Sequence, residues 1–175
     1  MAQRVYINVE DHRLLDGEGK NRGIVEDVTK VGLPTFTHPT TSINTSGMAM
    51  DVEMPNITHF DAADYTIYHN NGVNGHKLAV PGKHTQEFRT VRQRYDTSSG
   101  EIRHESVKYL LQGVHVETQK GDIETGSPYG STDKYSLLRY EEIIDGKTVM
   151  VVDAMSGIIS YNGKKYSDDV QNLLK

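Results

Sequence analysis

Histidine is the residue type in this sequence that most directly suggests chemistry, because the chain has eight of them and imidazole is a common metal ligand. The closest pair, His69 and His76, lies seven positions apart with two glycines between them. A helical metal site places two histidines four positions apart, and a zinc site needs three or four ligands with defined spacing. Neither condition is met. The sequence therefore predicts solvated loop histidines, with no metal site and no cofactor.

Patterns for catalysis are equally weak. The segment from Asp16 to Gly23 resembles a phosphate or calcium loop, but its glycine spacing does not fit the dinucleotide fingerprint and the terminal Glu of a calcium loop is absent. The chain has no Gly-x-Ser-x-Gly turn and no cysteine nucleophile. Adjacent acids such as Glu141 and Glu142 point to opposite faces of a strand. We predict that the protein is not an enzyme.

A basic cluster could in principle contact nucleic acid. It comprises Arg89, Arg92, Arg94 and Arg103, beside the acids Glu87, Glu101 and Glu105. Cross-strand ion pairs, within one chain or between copies, explain the cluster better, because the acids cancel the field that attracts a polyanion. The formal net charge of −5 also disfavours a protein that grips nucleic acid through its phosphates.

The elements that must position these residues are predicted to be β-strands. Asp145-Gly146 and Asn162-Gly163 are dipeptides typical of type I′ hairpin turns, and they separate short alternating segments. Phe88 to Asp96 and Ile102 to Thr118 predict a long hairpin closed by the turn at residues 97–100. The C-terminal half of the chain therefore indicates an antiparallel sheet.

The N-terminal half gives a less regular pattern. Arg4 to Val9 alternates as a strand, whereas Asp11 to Gly23 predicts a turn or loop. Ile24 to Phe36, Met48 to Met54 and Ile57 to His69 predict further extended segments. We expect polar loops at about residues 38–50 and 119–134, and a short helical turn at residues 167–175.

Composition is typical of one domain over residues 1–175 with a thin core. Hydrophobic residues make up 35%, and there are ten Tyr but three Phe and no Trp. The absence of cysteine fits a reducing compartment, and no segment is typical of a signal peptide or a membrane span. Long polar loops and open strand edges favour completion of the fold by neighbouring copies, although a monomeric β-sandwich also fits.

A collinear series of features extends along nearly the whole chain. It comprises Gly32-Leu33-Pro34, Gly47 to Met54, Gly113, Glu117, Asp122, Tyr140, Asp145-Gly146-Lys147, Asp153, Asn162-Gly163 and Asp168. In its order this series resembles the major tail tube protein of contractile-tailed bacteriophages, of the P2-like type. No single motif is diagnostic. At residues 72–87, where that family has a short helix, the chain contains Pro81 and little apolar periodicity.

The resemblance implies a mainly β fold of two packed antiparallel sheets with one short helix. It also implies hexameric rings with a continuous inner β-barrel, whose lumen is lined by the hairpins at residues 24–69 and 88–118. Stacked rings would form the inner tail tube of the virion, assembled in the host cytoplasm, through which DNA passes non-specifically. The implied partners are the tail sheath, the baseplate hub or tube initiator, the tape measure protein and the tube terminator, without membrane binding by the subunit.

The resemblance also implies roles for individual residues. The subunit interface is predicted to include the loop residues Thr40, Ser42, Ile43, Asn44, Met48 and Met50. The carboxylates expected to keep the lumen acidic are among Glu26, Asp27, Glu53 and Glu105. A DNA-free contractile bacteriocin or injection particle remains an alternative, and so, from other classes, do a monomeric ligand-binding β-sandwich and a hydrolase.

Overall fold

A computed structural model describes residues 4–71 and 75–173. These residues contain twelve strands, one 3-10 turn at Gly19–Asn21 and two short helices. The strands are β1 (Arg4–Asp16), β2 (Gly23–Val25), β3 (Val28–Gly32), β4 (Thr40–Ile43), β5 (Val52–Pro55), β6 (Asp64–His69), β7 (Lys83–Asp96), β8 (Glu101–Gln119), β9 (Ser131–Ile144), β10 (Lys147–Asp153), β11 (Ile158–Tyr161) and β12 (Lys164–Lys165). The helices are α1 (Gly75–Leu78) and α2 (Asp168–Leu173), and neither is long and apolar enough to cross a membrane.

Ten of the strands form one antiparallel sheet, and β4 and β5 form a second, two-stranded sheet. The large sheet has the order β12-β11-β10-β9-β8-β7-β1-β2. It branches at β9, whose residues 131–136 pair with β6 and whose residues 139–144 pair with β10, while β3 adds to β6. The predicted mainly β, antiparallel fold is confirmed, and the sheet formed by the described residues does not close into a barrel.

The large sheet curls around its core. Strands β2 and β3 lie on different branches of the sheet, but only Glu26 and Asp27 connect them. His12 on β1 also reaches across, with its Nε2 3.2 Å from the carbonyl oxygen of Val28 on β3. The core enclosed in this way contains Leu14, Tyr65, Ile67, Leu78, Phe88, Leu111, Tyr135, Tyr140 and Val152.

Strand β8 packs tightly against this core at Gly113. A Cβ atom at this position would lie 2.7 Å from a ring carbon of Tyr65 and 2.8 Å from the carbonyl oxygen of Ser136. The ring of Tyr65 also stacks on that of Tyr135, with centroids 5.0 Å apart. Only glycine leaves room for this buried aromatic pair against the strand.

The hairpins predicted from local sequence are confirmed. Asp145 and Gly146 have φ angles of 45° and 78°, and Asn162 and Gly163 have 49° and 81°, as type I′ turns require. The long hairpin is β7–β8, in which the amide of Gly100 donates to the carbonyl of Asp96 at 2.9 Å. The helical turn predicted near the C-terminus is α2, with residues 174–175 outside the described part.

Several predicted boundaries are wrong. The predicted polar loops at residues 38–50 and 119–134 contain strand, because β4 occupies Thr40–Ile43 and β9 begins at Ser131. Strand β7 begins at Lys83 instead of Phe88. Strand β1 continues to Asp16, through a segment predicted as loop, because its polar residues pair with β7, as in His12 with Thr90 and Asp16 with Gln86. Strand β5 begins at Val52 instead of Met48, and β6 begins at Asp64 instead of Ile57. In each case the partner strand decides where pairing starts and ends.

Candidate assembly interface

The excursion between β3 and β6 forms a projecting hairpin, which we call the arm (residues 37–61). Among the strands that the structure describes, β4 and β5 pair only with each other, from Thr40 opposite Pro55 to Ile43 opposite Val52, and all eight of their residues are exposed. The hydroxyl of Thr40 donates to Glu53 at 3.0 Å. A lone two-stranded hairpin is marginally stable in water, so the arm is a surface that a partner would stabilise.

The root of the arm is anchored to the large sheet by aromatic rings. Phe60 stacks on His38 with ring centroids 4.3 Å apart, and Phe36 contacts both Phe60 at 5.2 Å and Tyr140 at 5.1 Å. The amide of Asp61 donates to the carbonyl of Thr37 at 2.9 Å. The arm therefore has a fixed base and a solvated tip.

All six residues predicted to form the subunit interface lie on this arm. Thr40, Ser42 and Ile43 are on β4, while Asn44, Met48 and Met50 belong to the connection between β4 and β5. Asn44 Nδ2 donates to Asp51 at 2.6 Å, which ties the two sides of that connection together. The exposed apolar side chains of the arm are Ile43, Met48, Met50, Val52, Met54 and Ile57. Such a concentration of exposed apolar side chains is typical of an interaction surface.

The four predicted lumen carboxylates lie on three separate elements. Glu26 and Asp27 form the connection between β2 and β3, where Asp27 has a φ of 66° and its carboxylate accepts from the amide of Asn71 at 2.5 Å. Glu53 is exposed on β5 of the arm. A single copy of the chain does not gather these carboxylates into one site.

Glu105 on β8 has a different environment from the other three. Its side chain is 4% exposed, and its carboxylate lies 2.6 Å from Nε of Arg92 and 3.6 Å from Nη1 of Arg94. The charge of Glu105 is therefore compensated within the chain. The predicted cross-strand ion pairs are confirmed for Arg92 and Arg94, which lie on β7 and share Glu105 on β8. Arg103 with Glu101 at 2.8 Å, and Arg89 with Glu87, also form ion pairs, but each of these pairs lies along a single strand.

One long strand edge remains unpaired in the described part of the chain. β1 pairs with β7 on one side, but on its other side only residues 14–16 pair, with β2. Residues 4–13 therefore present backbone N–H and C=O groups along an open edge. Val5, Ile7 and Val9 on this segment are 45–60% exposed. An edge of this kind is a template for pairing with another chain.

The structure also contains a buried polar cluster that sequence reasoning missed. His69 Nε2 lies 3.2 Å from Asp133 Oδ2, and both side chains are almost completely buried. Thr118 donates its hydroxyl to Asp133 Oδ1 at 2.5 Å and lies 2.9 Å from His115 Nε2. Burial by itself would raise the pKa of the Asp133 carboxyl, but these neighbours lower that pKa below its ordinary value.

The prediction of a solvated His69 is therefore wrong. The sequence did contain a pattern that indicates its burial. Side chains alternate between the two faces of β6, and Tyr65, Ile67 and His69 occupy successive inward positions. The side chain of His76, its predicted neighbour in the loop, lies outside the described part. Among the described residues, no group of three or more His, Cys, Asp or Glu side chains could hold a metal ion.

A known protein family matches most of this chain. The family described as phage tail tube protein FII matches residues 14–174, which is most of the chain. The chain belongs to the phage tail tube protein FII family. No individual curated protein matches the sequence.

Membership of the tail tube family makes the chain a structural subunit of a phage tail tube, and so a component of the virion tail. It is not an enzyme. Among solved structures, the cryo-EM structure of the anti-feeding prophage (AFP) baseplate contains a similar chain, with a TM-score of 0.43 and 11% identity, covering 75% of this chain and 90% of that chain. A similarity of this size adds nothing to the family assignment.

Proposed function

We propose that this subunit assembles as hexameric rings that stack into the inner tail tube of a contractile phage and form the conduit for DNA delivery. The observation that supports the proposal most strongly is the arm. Its backbone pairing is internal, its side chains are exposed, and it has an anchored base with an apolar tip. A partner of the same kind would cover this surface, with Thr40, Ser42 and Asn44 supplying polar contacts around Ile43, Met48 and Met50.

The open edge of β1 supports a second contact between copies. Residues 4–13 pair only with β7 in the described part of the chain, and they would become an internal strand if an adjacent copy paired with their open side. Repetition of such a head-to-tail contact around an axis closes a ring. In the ring, we propose that strands of the β3–β6 and β7–β8 hairpins face the lumen.

The lumen is proposed to be acidic so that DNA slides without binding. The net charge of −5 and the exposed Glu26 and Glu53 support this, together with the half-buried Asp27. Glu105 would contribute little charge because Arg92 and Arg94 compensate it. The proposed partners are the sheath, the baseplate hub or tube initiator, the tape measure protein and the tube terminator, with assembly in the host cytoplasm.

Electron microscopy of the purified chain at high concentration tests the proposal. We expect rings or hollow rods from the wild type. Deletion of residues 40–46 removes β4 but leaves the large sheet intact, so we expect a folded subunit that forms no rods. Circular dichroism and thermal unfolding would verify that the subunit is folded.

Two results would contradict the proposal. A wild-type chain that stays monomeric at all concentrations would contradict tube assembly altogether. Normal rods from the deletion variant would show that the arm is not the interface.

A further inference from the structure

The connection between β8 and β9 contains a small closed loop, which we call the acidic finger (residues 121–130). Its neck is Gly121, which packs against the backbone of Tyr129 and Gly130 so closely that a Cβ atom would overlap both carbonyl oxygens. The amide of Gly130 donates to the carbonyl of Asn70 at 2.8 Å. The finger is therefore fixed at its base to the end of β6.

The tip of the finger presents an apolar side chain between two acids. Ile123 is 93% exposed, and Asp122 and Glu124 on either side are also exposed. Within the part of the chain that the structure describes, neither carboxylate forms an ion pair. The nearest cationic residue in the sequence is Lys120. Ile123 and its two acidic neighbours are therefore accessible to another molecule.

The opposite end of the sheet contains a groove of about 640 Å³, which we call the cationic groove. Its charged lining is Arg4, Arg92, Arg94, Lys147, Glu105 and Asp145. Two of the four cations, Arg92 and Arg94, share Glu105. Arg4 and Lys147 form no ion pair within the described residues, so the groove has an excess of positive charge in a chain whose net charge is −5.

The groove also has an apolar part. Ile144 and Val149 line it, and the ring of Tyr6 lies beneath the guanidinium of Arg92, 4.4 Å from the ring centroid. An acid–isoleucine–acid tip therefore matches the groove in both charge and polarity. Complementarity of this kind steers association and fixes register between partners.

We propose that the acidic finger of one copy docks into the cationic groove of the next copy, with Asp122 and Glu124 facing Arg4 and Lys147 and with Ile123 against Ile144 and Val149. This contact rests on the proposed assembly of the chain into a tube and names the surfaces that join its copies.

The positions of the two surfaces require that the contact joins different copies. Strand β8 runs from Glu105 at the groove to Gln119 beside the finger, which is roughly 45 Å of extended chain at a rise of about 3.3 Å per residue. A finger cannot reach the groove of its own chain over that length. The finger and the groove lie at opposite ends of the sheet. When the finger of one copy docks into the groove of a second, the groove of the first and the finger of the second stay accessible, so the contact can repeat head to tail.

A charge swap tests the contact. Asp122→Lys with Glu124→Lys reverses the finger, and Arg4→Glu with Lys147→Glu reverses the groove. Each double variant is expected to raise the protein concentration needed for rods at least about tenfold, because like charges then face each other. All four substitutions in one chain restore opposite charges, so rods are expected again near the wild-type concentration. Rods would be measured by sedimentation and electron microscopy.

Matched controls separate this contact from general effects. Glu18→Lys with Asp64→Lys changes the net charge by the same amount at other exposed positions. It also removes the exposed Asp64–Lys134 ion pair, which contributes about 0–1 kcal/mol, so rod formation is expected to stay close to wild type. Thermal unfolding of the non-assembled variants would verify their folding. If wild-type rods form and the reversed finger forms them equally well, or if the fourfold variant is not restored, the docking is wrong while tube assembly stands. If the wild type itself forms no rods, both ideas are wrong.

Discussion

At the scale of single residues, the buried pair of His69 and Asp133 connects three strands. His69 lies on β6 and Asp133 on β9, and Thr118 of β8 donates to the same carboxylate. A buried carboxylate without partners would be strongly destabilising. The cluster therefore fixes the strand ends beside the acidic finger, in which the amide of Gly130 donates to the carbonyl of Asn70, the residue after His69.

Asp133→Asn is expected to lower the free energy of unfolding by roughly 3 kcal/mol near pH 5. Because the pKa of Asp133 is lowered in the folded state, its ionised form stabilises the fold above the unfolded-state pKa of about 3.9, and this contribution is lost as the pH falls below that value. The difference between wild type and variant should therefore be smaller at pH 3 than at pH 5. Urea unfolding of the non-assembled chain at both pH values measures it.

Asp64→Asn is the matched control for this experiment. Asp64 pairs with Lys134 at 2.9 Å, but both side chains are about 40% exposed. An exposed pair contributes about 0–1 kcal/mol, so this variant should unfold nearly as the wild type does. Equal losses from the two variants would contradict a special role of the buried cluster.

At the scale of elements, the arm combines a weak hairpin with a strong anchor. Its two strands pair over four residues each, and no other strand of the described chain supports them. Contacts among the rings of Phe36, His38 and Phe60 connect the arm to Tyr140 in the core. The direction in which the arm projects therefore depends on its root rather than on its own hydrogen bonds.

Phe60→Ala is expected to loosen the arm while the large sheet stays folded. We expect the substitution to reduce the stability of the arm by about 1–3 kcal/mol. This is less than the loss for a fully buried ring, because Phe60 is only partly buried. Limited proteolysis with mass spectrometry should show faster cleavage within residues 40–55. Tyr166→Ala, which removes a ring from the Tyr161–Tyr166 pair away from the arm, is the control. If cleavage of the arm is unchanged in Phe60→Ala, Phe60 does not anchor the arm to the large sheet.

At the scale of the whole molecule, the described part of one chain presents four surfaces that would be completed by other copies. These are the arm, the open edge of β1, the acidic finger and the cationic groove. All four lie outside the curled core, which is packed within the single chain. The subunit is therefore expected to fold before it assembles, and assembly would bury surfaces that are solvated in the monomer.

Hydrogen exchange should separate these regions. In wild-type monomers, the amides of residues 4–13 and 40–55 are expected to exchange much faster than those of residues 135–140 in β9, because fewer packed neighbours protect them. In rods, we expect protection to rise at the first two segments and to change little in β9. Equal protection of the arm in monomers and rods would show that assembly does not cover it.

The sequence alone predicted those parts of the fold that local geometry controls. Asp145-Gly146 and Asn162-Gly163 specify type I′ turns because few other residues accept positive φ at both positions. The alternating arms of the β7–β8 hairpin were predicted for the same local reason. The order of these features also indicated the tail tube family, whose model matches residues 14–174.

Tertiary structure alone decided which polar residues are buried and where strands end. Asp11 to Asp16 look like loop in sequence, yet β7 supplies an edge that makes them strand. His69 looks like a solvated histidine until Asp133, 64 positions away, is placed beside it. The finger and the groove became visible only when β8 placed them at opposite ends of one sheet. Pairing, burial and charge complementarity depend on residues far apart in the chain, whereas a turn depends only on its own few residues.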